Sequence, residues 1–319
     1  MIDESLLSQK EMEILANKKD YLPVVSVIIA TYDRYSCLEN ALMSLVSQTY
    51  KNIEIIIVDD NGGHEQNEKV ESIVKTVRKR FGCKMLYLKN EINKGSAETR
   101  NIGIRAASGE YITFLDDDDV YLPNKVENQV KHMLEEGSVY SITDLMLYNE
   151  DDKLIEYRKR MYIKSFDSNY LLKYHLMYHM TGTDTMMFKS DYLINIGCFD
   201  QIDVGDEFYL MLKAIFNGGK FSYLPICDVR AYIHSETEGL SSGDSKIRGE
   251  NELFQYKKQF FNILNYSEKR YIIMRHYAVL SYAEYRRKRF NKFISYALLS
   301  FFASPINCVK EFVKIVINR

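Results

Sequence analysis

The chain of 319 residues has no apolar run near the ~20 residues that span a bilayer, so no transmembrane helix is expected. Its cysteines, Cys37, Cys83, Cys198, Cys227 and Cys308, are scattered and form no C-x-x-C pair. That excludes a disulfide scaffold and fits a reducing compartment. The opening MIDESLLSQKEMEIL is acidic and polar and lacks a signal peptide's basic and apolar regions, so a cytoplasmic location is expected. The net charge is only −2, which gives the chain as a whole no pull toward nucleic acid, and none is expected as a partner. There is no internal repeat, and no G-x-G-x-x-G follows the first apolar run, so the dinucleotide-binding fingerprint is missing.

What is present is an ordinary globular composition, 46% hydrophobic and 27% charged, rich enough to bury a core. After a polar leader, expected to be helical over residues 1–22, VVSVIIA (Val24 to Ala30) and IEIIIVDD (Ile53 to Asp60) read as strands buried on both faces. KMLYLKN and YITFLDD read as two more, with amphipathic helices between and after them. Strand and helix alternate four times, which predicts an α/β domain wound on both faces of a largely parallel sheet. In such sheets ligands bind beyond the carboxyl ends of the strands. The tips here are Thr31-Tyr32-Asp33, Asp59-Asp60 and Asp116 to Asp119.

Four adjacent aspartates repel one another and persist only among water, cations or donors. Two readings are open: a site for a hard divalent cation, which takes oxygen ligands, or a solvated acidic turn in which Asp119 caps the next helix. A carboxylate at the Asp59-Asp60 tip suits a base edge or a ribose hydroxyl.

Later segments are mixed. MMFKSDYLINIGCFD reads as strand, helix and turn, GDEFYLMLKAIFNGG as a short helix stopped by Gly218-Gly219, and KFSYLPICDVRAYIH as a strand. Residues 234–250 are rich in Gly, Ser and charge and read as a loop, with helices from Asn251 onward. His175 and His179 stand at helical spacing, but without further ligands they read as packing or site-lining rather than zinc-binding residues. From Lys269 to the end, basic residues face only Glu284 and Glu311, and RRKRFNKFISYALLSFF sets a basic cluster before an apolar stretch. Such a segment either lies in an anionic membrane interface or packs as a helical subdomain with its basic residues in water.

In order along the chain, VSVIIATYDR, SLVSQTYKNIEIIIVDD, NKGSAETRNIGIRAASGEYITFLDDDDVYLP and GDEFYLMLK resemble the signatures of family 2 glycosyltransferases, including a DXD motif, over about 190 residues. The resemblance implies a GT-A fold and an inverting, hexosyltransferase-type transfer from a nucleoside diphosphate sugar, most simply a UDP-sugar, dependent on Mn2+ or Mg2+. It implies base and ribose contacts at Thr31, Tyr32, Asp33 and Asp60. Arg100, Asp116 and Asp117 would lie beside the nucleotide, and Asp118 would bind the metal. It implies a late Glu-Asp pair whose aspartate is the general base. Here the order is reversed, and counting back from Lys213 puts Glu207 in that position with Asp206 as the second choice. His234 is the expected metal- or diphosphate-side histidine. The expected acceptor is a saccharide or lipid-linked hydroxyl in capsule-type polysaccharide synthesis. The reversed pair is the one feature that fits a catalytically silent binding subunit instead. Nucleotidyl transfer would want a Gly-rich basic loop after the first strand, and none is visible. The expected organisation is a catalytic domain over 23–250, its nucleotide half 23–140 and its acceptor half 141–250, followed by a basic helical region over 251–319.

Overall fold

The computed structural model describes residues 22–202, 204–233 and 243–317. Most of the expected leader helix and His234 therefore lie outside the described residues. The first half alternates as β1 (Val25–Thr31), α1 (Tyr35–Val46), β2 (Ile53–Asp59), α2 (His64–Phe81), β3 (Met85–Lys89), α3 (Ser96–Ala106) and β4 (Tyr111–Phe114). β5 (Val120–Tyr121), α4 (Lys125–Glu136), β6 (Tyr140–Asn149) and β7 (Leu154–Arg158) follow. Then come α5 (Ser168–Tyr178), a 3-10 turn (Thr183–Thr185), β8 (Met186–Lys189), α6 (Ser190–Asn195), α7 (Asp206–Asn217) and β9 (Phe221–Ile233). The chain closes with α8 (Gly243–Lys258), α9 (Tyr266–Arg286), α10 (Phe290–Ala303) and α11 (Pro305–Ile317).

Among the described residues one sheet runs β3-β2-β1-β4-β8-β6-β9-β5, with β7 paired to β6. β3, β2, β1 and β4 are mutually parallel, whereas β8 is antiparallel to both β4 and β6. The parallel character thus belongs to the first half, and the second half is mixed. β1 explains its unbroken apolar run. Val25, Val27 and Ile29 enter one core with Leu38, Leu42 and Val70 from α1 and α2, while Ile28 enters the other with Ile104, Phe208 and Met211. Successive strand side chains point to opposite faces, so a sheet covered on both sides needs both sets apolar. Gly103 lets α3 lie close against β1, since a Cβ there would stand 2.5 Å from Ile28 Cγ2.

Two sequence expectations are corrected. Residues 243–250 are helical, because Gly249 fits tightly against Val204, Glu250 meets His276 at 3.4 Å and Asp244 meets Arg287 at 2.6 Å. Long-range partners, invisible in local composition, order that stretch. Asp119 does not cap α4: β5 intervenes, and its carboxylate accepts the Tyr232 N–H at 2.8 Å.

The C-terminal helices fold onto the body through α9, whose Tyr271 ring meets Tyr178 of α5 at 5.1 Å. α10 returns along α9, with Ser300 Oγ donating to the Met274 carbonyl at 2.9 Å. Phe302 and Ile306 remain exposed, at 65% and 71%. No single helix among the described residues is long and apolar enough to cross a membrane, and α10 and α11 are bent at 116° to one another.

Candidate active site

The carboxyl ends of β1, β2 and β4 meet at one edge, and the antiparallel β8 begins there, opposite the end of β4. Register alone therefore brings Asp184, just before β8, to the aspartates just after β4. The Asp116 N–H donates to Asp184 Oδ1 at 2.6 Å. Oxygens of Asp116, Asp119 and Asp184 all lie within 4.8 Å of one another. Burial, with each carboxyl beside another, pushes Asp119 and Asp184 up from the usual carboxylate range. Hard oxygen donors crowded in this way suit a divalent cation such as Mg2+ or Mn2+, whose charge would offset both desolvation and repulsion. Beneath them Lys125, fully buried, donates to Thr113 Oγ1 at 2.8 Å and to the Tyr121 hydroxyl at 2.9 Å. Burial brings this lysine down to about 7.

Asp118 points the other way and is held by Arg34, which also stands 3.8 Å from Asp117. Burial and the Asp118 charge push Asp117 up to about 7 against the pull of Arg34. The Tyr32 N–H donates to Asp117 Oδ2 at 3.4 Å, and Asp33, at a left-handed φ of 55°, donates its N–H to Asn61 Oδ1 at 2.7 Å. Thr31 is buried at the tip of β1, where its carbonyl accepts the Asp60 N–H at 2.9 Å. Asp60 uses both oxygens: Oδ1 accepts from Asn90 Nδ2 at 2.7 Å and the Lys94 N–H at 2.8 Å, and Oδ2 from the Gly95 N–H at 2.9 Å. It fastens the loop that leads into α3.

Arg100, on the second turn of α3, joins the two acidic groups. One nitrogen of its guanidinium meets Asp116 Oδ1 at 2.7 Å and another meets Asp206 Oδ2 at 2.7 Å. Asp206 opens α7 behind Gly205, which caps it at a φ of 81°. Burial, together with the Glu207 charge, pushes Asp206 up to about 7 despite Arg100. Glu207 is more open and accepts from His179 Nε2 at 3.0 Å. Burial, followed by the charges of Lys257, Arg275 and Lys246, holds His179 well below its ordinary value, so the ring is neutral. With the carboxylate oxygen as acceptor, Nε2 carries the ring proton. His175 stacks on Phe208 at 4.1 Å and pairs its Nε2 with the Phe208 carbonyl at 2.9 Å, a packing role.

The structure thus brings Asp116, Arg100, Asp206 and Glu207 into one chain of contacts and sets Asp117 and Asp118 beside Arg34. Asp184, Arg34 and Lys125 escaped the sequence reading. Only an acid two residues before the MMFK strand hinted at Asp184.

A GT-A architecture with acidic strand tips and an acidic helix start is a class of nucleotide-sugar-dependent enzyme fold. The sequence profile of Glycosyl transferase family 2 matches residues 26–193, more than half of the chain, and the chain belongs to that family. The Escherichia coli UDP-Glc:alpha-D-GlcNAc-diphosphoundecaprenol beta-1,3-glucosyltransferase WfaP is 30% identical over 232 residues, covering 73% of this chain and 86% of WfaP. An uncharacterized glycosyltransferase of Rickettsia bellii is 36% identical over 132 residues, 41% of this chain. The matches span about a fifth of the length of the Rickettsia bellii, felis and conorii relatives, 18% to 21%, and 55% of those from Rickettsia prowazekii and Rickettsia typhi. The mannosyltransferase PcManGT from Pyrobaculum calidifontis, solved with GDP-Man and Mn2+, shares the fold, with a TM-score of 0.57 at 16% identity over 88% of this chain and 86% of that one.

Proposed function

We propose that the protein transfers a sugar, with inversion, from a UDP-sugar to a hydroxyl of a saccharide or lipid-linked acceptor in cell-surface polysaccharide assembly. The observation that carries the reading is the Arg100 bridge. It ties the acidic strand edge to the start of α7 and leaves Glu207 open beside it. Thr31, Tyr32 and Asp33 flank base and ribose, and Asp60 serves the same side through the loop that it fastens. Asp116 and Asp117 lie toward the phosphates. Glu207, oriented by neutral His179, removes the acceptor hydroxyl's proton as the new bond forms, and Asp206 is the second choice for that role. Attack on the side opposite the leaving diphosphate inverts the anomeric carbon.

A divalent cation, Mn2+ or Mg2+, would be held by Asp118, the ligand that the family resemblance implies, with His234; Asp116, Asp119 and Asp184 offer a neighbouring oxygen set. When bound it supplies Lewis-acid stabilisation of the leaving diphosphate. The Mn2+ and GDP-Man of PcManGT support this, and the name of WfaP supports the UDP donor and a diphosphate-linked acceptor. The exposed apolar side chains of α10 and α11, with the Arg286–Arg289 cluster just before α10 in the chain, fit peripheral contact with an anionic membrane at its cytoplasmic face. Thermal shift with UDP and GDP, with and without Mn2+ or Mg2+, tests the reading, since a ligand of the native state raises Tm. UDP with metal should give the largest shift, and Asp118→Ala should lose its metal-dependent part. No shift with any nucleoside diphosphate, or a product of retained configuration by NMR, would overturn it.

A further inference from the structure

Beyond Glu207 the charge changes sign. α8 contributes Lys246 and Lys257, and α9 contributes Arg275. None of the three makes an ion pair among the described residues, although Arg275 donates to the Met177 carbonyl at 3.1 Å. The carboxylate set among them, Glu250, already accepts from His276 at 3.4 Å. Lys257 Nζ lies 4.8 Å from the centre of the Phe208 ring. Burial, with the neighbouring charges of Arg275 and Lys246, brings this lysine down to about 7. Cation–π contact returns only a fraction of what desolvating an ammonium costs. Among the described residues three cations gather around the one carboxylate of Glu250, so this cluster is short of negative charge.

Their position narrows what supplies it. Phe208 follows Glu207 in the chain, Met177 lies two residues before His179, and His179 is bonded to Glu207. Lys257, Arg275 and Lys246 all act on the His179 ring, which is bonded to Glu207, so the cations lie on the His179 side of the proposed base. The donor diphosphate is proposed at the strand tips, on the Asp116 side of the Arg100 bridge, whereas these cations gather beside His179. An acceptor that presents a hydroxyl to Glu207 and carries an anion across its sugar ring reaches them.

We propose that Lys246, Lys257 and Arg275 form an anion subsite for the phosphate or diphosphate ester on the acceptor's anomeric carbon. The subsite rests on the reading of Glu207 as the base at the acceptor hydroxyl. Ammonium and guanidinium donors suit phosphate oxygens, and charge-assisted bonds of this kind are the strong ones.

Calorimetry of the full chain with inorganic pyrophosphate, in metal-free buffer with and without saturating UDP, tests it. Saturable binding that survives UDP is expected. Lys257→Met and Arg275→Gln should each weaken it about tenfold or more, the worth of one charged hydrogen bond, while Lys257→Arg keeps most of it. UDP affinity should stay unchanged in all three variants, which also shows that they fold. Displacement by UDP, equal pyrophosphate affinity in the variants, or equally tight binding of glucuronate, a sugar carboxylate, would overturn the subsite. Donor binding and hydrolysis report separately on the transferase reading. If they persist while pyrophosphate fails to bind, only the subsite falls.

Discussion

The edge at the ends of β1, β2 and β4 gathers carboxylates, while the flank built by α8 and α9 gathers cations, and Asp206-Glu207 stands between them. Both arrangements concentrate like charges at partly or fully buried positions, which folding alone disfavours. They do so by different means. The acidic edge is held by main-chain register and by Arg34 and Arg100, so its geometry is set before any ligand arrives. The cationic flank rests on side chains of two helices and has little internal compensation. On the readings proposed above, the site handles anions in two ways, indirectly through a bound cation on one side and directly on the other.

The sharpest way to break this comparison is at its centre. Glu207→Gln keeps the shape and should lower the transfer rate at saturating donor by about two to four orders of magnitude, the usual worth of a general base. UDP affinity should not change. If Asp206→Asn causes the larger loss of rate with an unchanged Tm, the base lies on the acidic side and the division drawn here moves by one residue.

The next test removes the tie between the regions. Arg100→Met leaves Asp116 and Asp206 without their shared cation and should cost about 3 kcal/mol, as expected when one member of a buried ion pair is removed. Denaturant unfolding measures it. A change under ~0.5 kcal/mol, the size of an ordinary surface substitution, would mean that the bridge contributes nothing to the fold.

Glu54 offers a control: a buried carboxylate with every oxygen occupied and no proposed ligand. It accepts from Ser26 Oγ at 2.6 Å and Ser108 Oγ at 2.7 Å, and meets Lys84 Nζ at 2.7 Å. Burial opposes ionisation, but these donors bring Glu54 down to about 2 from an ordinary 4.5. A depressed carboxylate stabilises the fold above its unfolded value. That contribution, about 3 kcal/mol at most and less once solvent screens the exposed Lys84 partner, should be lost as pH falls from 4.5 toward 2, and Glu54→Gln should flatten the loss. Nucleotide binding at neutral pH should not move.

The smallest effect is expected at the periphery. Phe302→Ser with Ile306→Ser should weaken partition onto anionic vesicles about tenfold, in line with two half-buried apolar side chains. Equal partition of both proteins would leave α10 and α11 without a membrane role.

Legibility followed the range of the interactions. β1, β2 and β4 and their acidic tips were readable because a strand buried on both faces writes its own pattern locally, and the start of α7 was marked by Gly205 and the acids behind it. Asp184 was not, since an antiparallel pairing of β8 with β4 brings it in, and single-sequence periodicity holds no record of which strands pair. Lys125 looked like any surface cation until tertiary packing enclosed it, and Arg34 until the fold set Asp117 and Asp118 beside it. Arg275 read as part of a basic tail because α9 had no visible partner, and Lys257, on α8, drew no reading of its own. The segment 243–250 read as a loop because its ordering depends on Arg287 and His276, dozens of residues away.

The two-armed guanidinium of Arg100 has a consequence for anyone who redesigns this enzyme fold. A planar fork serves two carboxylates at once, and a point-like ammonium does not. Positions 100, 116 and 206 therefore form a set whose letters are chosen together. A library that varies residue 116 to admit a new sugar also rewrites the surroundings of residue 206. On the proposed reading, donor and acceptor preference are then inherited jointly, and the productive search moves all three positions in the same clone.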